Sequence, residues 1–244
     1  MSDSDGVGGL AAQLLGFFGD WLFAALHPLE TCQSLLASTS DRARFDQAAK
    51  LWLASFLISV VINLPIYHQH GIELSTVEFH LVNLLLLTAA ILACGLIFHV
   101  GLRVYGVESN PSDTITMYAA YFVNYQPIAA LYSYFANLRF FNILGAAKSQ
   151  GAGFGSALEI LLLHSRASLE STTFVNIGAL LSSWLGLITV LMSSTLMANT
   201  VARTYSVSRG KSFAAVAFIT TVLLLPVFLV EGGVSAYLAY TFSR

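Results

Sequence analysis

Charged residues are scarce in this sequence: 10% of its 244 residues are Asp, Glu, Lys or Arg, whereas 56% are hydrophobic. A domain surrounded by water carries roughly a quarter of charged residues. The composition therefore excludes an ordinary soluble domain and predicts a protein solvated by lipid. The net charge of −2 and the lack of a basic stripe also argue against nucleic acid as a partner.

Cysteine and catalytic motifs are equally sparse. The two cysteines, Cys32 and Cys94, form neither a CxxC pair nor a Cys/His metal pattern, which excludes a disulfide framework. No GxSxG elbow, HExxH helix or phosphate-binding GxxxxGK[ST] loop occurs. We therefore predict a protein that is not an enzyme, with no catalytic residues, no metal site and no cofactor.

What the chain has instead is five long stretches without charge. In chain order they contain 22 residues between Lys50 and Glu73, 24 between Glu78 and Arg103, 25 between Asp113 and Arg139, 32 between Glu170 and Arg203, and 19 between Lys211 and Glu231. An α-helix needs around 20 apolar residues to cross the hydrocarbon of a bilayer. The pattern predicts an all-α polytopic membrane protein with five transmembrane helices.

The predicted transmembrane domain occupies residues 48–240, with spans at about 50–67, 79–103, 114–136, 174–201 and 212–238. Residues 1–47 form a cytoplasmic N-terminal segment. Apolar side chains recur there at helical spacing, but the charge-free part is too short to cross, so we expect an N-terminal interfacial helix; these side chains are Leu10, Leu14, Phe17, Phe18, Trp21, Leu22 and Ala25.

The distribution of Lys and Arg predicts the orientation, because these residues accumulate on the cytoplasmic side of spans. With the N-terminus cytoplasmic, seven of them are inside and four are outside. An odd number of spans then makes the C-terminus external. We expect a multi-pass protein of the cell inner (plasma) membrane, whose external loop 137–172 carries a further surface helix starting near Phe154.

The ends of the second and fourth predicted spans resemble each other. Four residue types in GLRVYGVESNPS (101–112) recur in VARTYSVSRGKS (201–212) at an offset of 100: Arg, Tyr, Val and Ser. Either the hairpins were duplicated, or Arg and Tyr simply favour the inner interface. The candidate cytoplasmic interface comprises Arg103, Tyr105, Arg203, Tyr205, Arg209 and Lys211.

A candidate intramembrane polar site lies in the third and fifth spans, at Asn124, Gln126, Pro127 and Glu231. Pro127 removes a helical hydrogen bond and favours a kink. The amides and the carboxylate are costly in lipid without partners. Together with Asn63, Asn83, His99, Asn176 and Ser193–Thr195 they line a polar path; alternatively they join helices to each other, and Glu231 reaches water at the outer interface.

Three stretches resemble the Yip-type integral membrane family, whose eukaryotic members interact with Rab-type GTPases. HPLETCQSLLAS (27–38) is similar to the bacterial signature before the first span. GVESNPSDTITMYAAYFVNYQPIAALYSYF (106–135) and TVARTYSVSRGKSFAAVAFITTVLLL (200–225) resemble the start of the third span and the last hairpin. The resemblance covers roughly residues 25–240 and implies five spans. The acidic-Leu-Gly-Pro motif of eukaryotic members is missing.

Two functions are compatible with these patterns. The first is a non-enzymatic Yip-type membrane protein that organises membrane or scaffolds partners through interfacial helices, with Leu29, Cys32, Leu35 and Leu36 forming one apolar stripe. The alternative is a small permease or channel with a polar path through the bundle. The expected partners are the lipid bilayer and, in the first case, other membrane proteins or further copies of the chain.

Overall fold

The computed structural model describes residues 16, 18–37, 40–72, 77–157, 159 and 173–242, without the side chains of 124, 135, 139, 173–180, 183, 225, 228, 231 and 232. The described chain is helical and contains no strand, which confirms the all-α class. Its α-helices are α1 Pro28–Ala37, α2 Asp41–Gln69, α3 Val77–Val104, α4 Pro111–Tyr121, α5 Gln126–Tyr132, α6 Tyr134–Ser149, α7 Thr173–Thr204, α8 Arg209–Phe218 and α9 Leu225–Phe242.

Three helices within the described residues are long and apolar enough to cross a membrane: α2, α3 and the Trp184–Thr204 part of α7. They correspond to the first, second and fourth predicted spans. The third and fifth predicted spans are each interrupted. A 3₁₀ turn, Val123–Tyr125, separates α4 from α5, and a π-helical segment, Ile219–Leu223, separates α8 from α9. Each interruption comes just before a proline, Pro127 or Pro226.

The helix starts follow ordinary capping chemistry. The side chain of Ser40 accepts a hydrogen bond from Ala43 N–H at the start of α2, and Ser208 accepts one from Lys211 N–H at the start of α8. Asn110 accepts one from Ser112 N–H before α4, which also has Pro111 in its first turn. These side chains satisfy backbone donors that have no partner inside the helix.

The two predicted repeat segments have the same backbone geometry. After α3, the N–H of Val107 donates to the carbonyl of Leu102; after α7, the N–H of Val207 donates to the carbonyl of Ala202. Two residues after the end of each helix the backbone has a positive φ, 67° at Gly106 and 51° at Ser206. This is the Schellman end of a helix. The sequence echo therefore corresponds to two identical helix ends, each followed by an interrupted helix.

One large core joins the hairpins α3–α4 and α7–α8 to α1 and α2. Its fully buried side chains include Phe98, Met117, Tyr121, Met197 and Ile219. The apolar stripe predicted for α1 is confirmed, because Cys32 and Leu35 are buried while Gln33 and Ser34 are exposed. The stripe packs mainly against α4. Helix α1 is therefore part of the bundle.

Other sequence predictions fall partly outside the described residues. Residues 18–26 are helical, with Phe18, Leu22, Phe23 and Leu26 exposed; Leu10, Leu14 and Phe17 lie outside the described part. Residues 154–157 of the predicted surface helix are helical, and the rest of it lies almost entirely outside that part. The predicted external loop begins as helix, since α6 continues to Ser149.

Candidate functional site

The interruption between α4 and α5 is built around Pro127. Proline has no N–H, so the carbonyl of Val123 cannot receive its usual α-helical bond. The backbone N–H of Gln126 donates to that carbonyl instead, which tightens the chain into a 3₁₀ turn. The tight turn satisfies the freed carbonyl and places Gln126 at the start of α5, in the interior of the bundle.

A polar cavity of about 250 Å³ lies beside this turn, between α2, α3, α5, α6 and α9. Its lining is unusual for the interior of a membrane bundle because half of it is polar. The polar lining residues, apart from Tyr67, are Ser59, Asn63, His80, Asn83, Gln126, Ser133, Asn137 and Ser235. No Asp, Glu, Lys or Arg occurs among the described residues that line it.

Hydrogen bonds fix the orientation of the lining amides. The NH₂ group of Asn63 donates to the carbonyl of Ser59 over 2.9 Å, and that of Asn83 donates to the carbonyl of Phe79 over 2.7 Å. The hydroxyl of Ser59 donates to the carbonyl of Ser55. Asn137 donates to the side-chain oxygen of Asn63 over 3.2 Å. Each of these four side chains thus uses a donor group within the protein.

Gln126 lies between this cavity and a second one. The second cavity measures about 220 Å³, is mostly apolar and extends between α3, α4 and α7. Three residues line both cavities: Leu87, Gln126 and Ala129. The side-chain oxygen of Gln126 is buried and has no hydrogen-bond partner among the described residues. The interrupted helix therefore presents an unsatisfied amide at the boundary between a polar and an apolar chamber.

Between the second cavity and the end of the bundle that carries Asp113, a buried polar contact closes the bundle. The hydroxyls of Tyr121 and Thr200 are 2.5 Å apart and both are buried. The thiol of Cys32 from α1 lies against the Tyr121 hydroxyl, and burial raises the pKa of this thiol to about 12. Cys32 therefore stays a neutral thiol at neutral pH, and this layer carries no charge.

An ion pair lies at the end of the bundle predicted to be cytoplasmic. Arg44 of α2 is paired with Asp113 of α4, and their side chains are only 17% and 14% exposed. The hydroxyl of Tyr205 donates to the second carboxylate oxygen of Asp113 over 3.2 Å. Burial and the neighbouring Asp113 charge raise the pKa of the Tyr205 phenol well above its usual value. The cluster joins α2, α4 and the turn after α7.

All these layers lie along one interrupted helix. At a helical rise of about 1.5 Å per residue, Tyr121 lies roughly 12 Å, Gln126 roughly 20 Å and Ser133 roughly 30 Å beyond Asp113. Both cavities and both closing layers are thus lined by the segment 111–133 and its neighbours. The segment is comparable in length to the hydrocarbon thickness of a bilayer.

The structure brings some of the predicted intramembrane residues together. Gln126 lines both cavities, and Pro127 is buried next to it. The side chains of Asn124 and Glu231 lie outside the described part, so their roles stay predictions. Of the other residues predicted for a polar path, Asn63 and Asn83 line the polar cavity, Ser193 lines the apolar one, and His99 instead contacts Ser109 over 2.9 Å.

The predicted cytoplasmic interface lies at the end that carries Asp113 and Arg44. Arg103, Arg203 and Arg209 are exposed there. Tyr105 packs against Phe218 with ring centroids 5.9 Å apart, and Tyr205 binds Asp113. Lys211 donates to the carbonyl of Gly106 over 3.4 Å, which links the two repeat turns. Whether this surface binds a partner stays a prediction.

Four residues of the closing layers were not predicted as a site: Arg44, Asp113, Tyr121 and Thr200. In the sequence, Arg44 counts only towards the inside positive charge and Asp113 only bounds a charge-free stretch, although both fall at the predicted cytoplasmic end. The available signal for an ion pair was that these two opposite charges lie at the same predicted membrane depth, each beside a different span. No pattern in the sequence indicated the Tyr121–Thr200 contact, because it depends on how α4 and α7 pack.

Comparison with known proteins adds no further identification. The chain matches no family model, no curated protein and no solved structure. The Yip-type resemblance accordingly rests on the residues quoted for it, and the fold described above stands on its own geometry.

Proposed function

We propose that the chain crosses a bacterial inner membrane five times, with a cytoplasmic N-terminus and an external C-terminus. Three helices are long and apolar enough to cross, which supports a membrane protein. In the proposal, the interrupted segments 111–132 and 209–242 supply the other two crossings. Their packing along α3 and α7 in two similar hairpins supports this arrangement.

Single cysteines introduced into a variant without Cys32 and Cys94 test the topology. Glu108→Cys and Gln150→Cys both replace exposed residues that flank the third proposed crossing. An impermeant maleimide applied to intact cells should label position 150 but reach position 108 only after permeabilisation. Labelling of both positions in intact cells would rule out a crossing between them.

We infer that the protein binds a small polar molecule within the bundle and acts as a permease or channel for it. The observation that carries this proposal is the polar cavity beside the Pro127 interruption, which shares the lining residue Gln126 with a second cavity. Buried polar surface without partners is costly at membrane depth, so it favours a function over simple packing. The described conformation is closed at the inner end by the Tyr121–Thr200 contact and by the Asp113 cluster.

Reconstituted protein tests this proposal. Proteoliposomes loaded with a mixture of small neutral and charged solutes should release at least one of them faster than protein-free liposomes. Asn83→Phe places an apolar ring in the cavity and should abolish the release. Thr221→Val is the matched control, because Thr221 is exposed and bonds only the carbonyl of Ala217 in its own helix. Release that survives Asn83→Phe would contradict a path through the cavity.

A second candidate function is Yip-type membrane organisation or partner scaffolding without transport. The observation in its favour is the helical stretch 18–26, where Phe18, Leu22, Phe23 and Leu26 are 43–68% exposed. Such an apolar face suits insertion into one leaflet. Helix α1 is packed into the core, so a clean test deletes residues 8–26 and spares α1.

The deletion and the cavity variant give opposite results for the two candidates. For an organiser, deletion of 8–26 should remove the proteins or lipids that copurify from native membranes, while Asn83→Phe changes nothing. For a permease, the deletion should leave solute release unchanged. Unaltered copurification after the deletion would eliminate the organiser hypothesis in this form.

A further inference from the structure

The proposed solute-binding function does not specify the class of solute. The hydrogen-bonding groups of the cavity wall restrict that class. Backbone carbonyls only accept hydrogen bonds. The NH₂ groups of Asn63 and Asn83 must therefore point at the carbonyls of Ser59 and Phe79, which they contact over 2.9 and 2.7 Å. The orientation of both amides follows from this constraint; the oxygen of Asn63 accepts from Asn137, whereas the oxygen of Asn83 is used by no described residue.

The hydroxyl of Ser59 behaves in the same way. It donates to the carbonyl of Ser55 over 2.7 Å, so its lone pairs remain for another donor. Asn137 uses its NH₂ group on Asn63 and Ser133. Gln126 has hydrogen-bonding capacity that no described residue uses, in either orientation of its amide. Ser59 and Asn83 thus present acceptor oxygens that no described residue uses, whereas the hydroxyls and amide of Tyr67, Ser235 and Gln126 can both donate and accept.

Because the described lining contains no Asp, Glu, Lys or Arg, the cavity favours neutral molecules over ions. A cation without a carboxylate partner would lose its hydration and gain only neutral oxygens, which is costly away from water. The described carboxylate that lies deepest at the inner end, Asp113, is already paired with Arg44. The volume of about 250 Å³ is below that of typical drug-sized sites, about 300–1,000 Å³, so the occupant is small.

We propose that the cavity accepts small uncharged molecules rich in hydrogen-bond donors, of which urea and glycerol are simple examples. This inference rests on the proposed function and specifies its substrate class. The donors of the molecule pair with the oxygens of Ser59, Asn83 and Gln126, which no described protein donor occupies. Acceptor-only molecules leave the oxygens of Ser59 and Asn83 without donors, and ions find no countercharge in the described wall.

Three probes of similar size separate these classes: urea, trimethylamine N-oxide and potassium ion. Urea is neutral and donor-rich, the N-oxide is neutral overall and accepts only, and potassium is charged. In stopped-flow light scattering, proteoliposomes should equilibrate urea at least tenfold faster than empty liposomes. Rates for the N-oxide and for potassium should equal those of empty liposomes.

Two variants and a control locate the effect. Gln126→Leu should lower the urea rate at least fivefold. Asn83→Leu should act in the same direction, and since Asn83 bonds only its own helix it keeps the fold intact if Gln126→Leu does not. Thr221→Val should leave the rate unchanged. A urea rate insensitive to both cavity variants would overturn the proposal.

The remaining outcomes separate the inference from the function on which it rests. Faster potassium or N-oxide movement that Asn83→Leu abolishes would overturn the substrate class and leave a permease in place. Potassium movement that requires Glu231, tested by Glu231→Gln, would point to a cation path. No acceleration for urea, N-oxide or potassium, and none in the wider solute mixture, would overturn the proposed function itself.

Discussion

At the scale of single residues, the two repeat turns differ at the position that needs left-handed backbone. Gly106 has φ 67° and Ser206 has φ 51°. An L-residue with a side chain is strained there by roughly 1–2 kcal/mol, whereas glycine is not. Both residues are exposed, so the backbone conformation dominates the comparison.

Exchanging these two residues should change stability in opposite directions. Ser206→Gly relieves the strained backbone and should stabilise the protein by about 0.5–1 kcal/mol, after allowance for the extra freedom of glycine in the unfolded chain. Gly106→Ser should destabilise it by about 1 kcal/mol. Thermal unfolding in detergent micelles, followed by circular dichroism, measures both. A shift of the same sign in both variants would contradict the backbone explanation.

The Asp113 cluster is the other residue-scale feature with an energetic consequence. Asp113→Asn removes the closest carboxylate from the largely buried Arg44, whereas the carboxylate of Asp41 is 3.8 Å away and 67% exposed. Breaking such a pair on one side costs up to about 3–5 kcal/mol when fully buried, so about 2 kcal/mol is expected at this partly open end. Chemical denaturation in mixed micelles provides the measurement.

Glu108→Gln is the matched control for that change, because Glu108 is an exposed carboxylate in the neighbouring turn. It should shift stability by less than about 0.5 kcal/mol. The double variant Arg44→Gln with Asp113→Asn should recover part of the loss, since no unpaired charge is left. Additive losses in the double variant would show that the two residues do not interact.

At the scale of helices, α3 and α4 approach each other closely at Gly95. A Cβ atom added at Gly95 would lie 2.5 Å from Ile115 Cγ1 and 2.7 Å from Ile115 Cα. The neighbour includes backbone, so it cannot move aside easily. Small residues allow membrane helices to pack this closely. The hairpin α3–α4 therefore depends on a glycine at position 95.

Gly95→Ala should destabilise the protein by about 2–3 kcal/mol through overpacking. Gly210→Ala is the control, because nothing lies within 4 Å of the added Cβ in helix α8; it should be neutral or slightly stabilising, given the better helix propensity of alanine. Unfolding temperatures of both variants in the same detergent decide the point. Equal tolerance of the two substitutions would mean that α3 and α4 are farther apart.

The helices show which sequence signals are sufficient. Long apolar stretches predicted α3 almost to its ends and only the apolar part of α2, which begins at Asp41, nine residues before the predicted span. Hydropathy and length identify the part of a helix that can cross the bilayer, whereas the polar first turns of α2 give no such signal. The proline signal predicted a kink at Pro127 within a continuous span, and the structure has a break in the helix just before it. It could not specify a 3₁₀ turn, nor that Gln126 would face two cavities, because both depend on the packing of α2, α3 and α7 around it.

At the scale of the whole molecule, the number of crossings depends on the interrupted segments. Helices α4 and α5 contain 11 and 7 residues, so neither could cross a bilayer alone. Together with the 3₁₀ turn they reach from the Asp113 cluster to the outer side of the polar cavity. Composition predicts a continuous span there; the break and its cavity are properties of the assembled bundle.

The two native cysteines bear on how the assembled molecule opens. Both side chains are fully buried, and Cys32 lies in the layer beside Tyr121, towards the end of the bundle that carries Asp113. With Cys94→Ala, a water-soluble maleimide should modify Cys32 in lipid nanodiscs at least a hundredfold more slowly than a cysteine placed at the exposed position Gln33 of the same helix. Equal rates would mean that this end of the bundle is open in the membrane.

The modification rate of Cys32 therefore reports how often this layer opens. The maleimide can reach the thiol only while α1 is separated from Tyr121, so no added probe is needed. A solute that crosses the whole bundle should increase the modification rate of Cys32. A solute that only occupies the polar cavity should leave this rate unchanged.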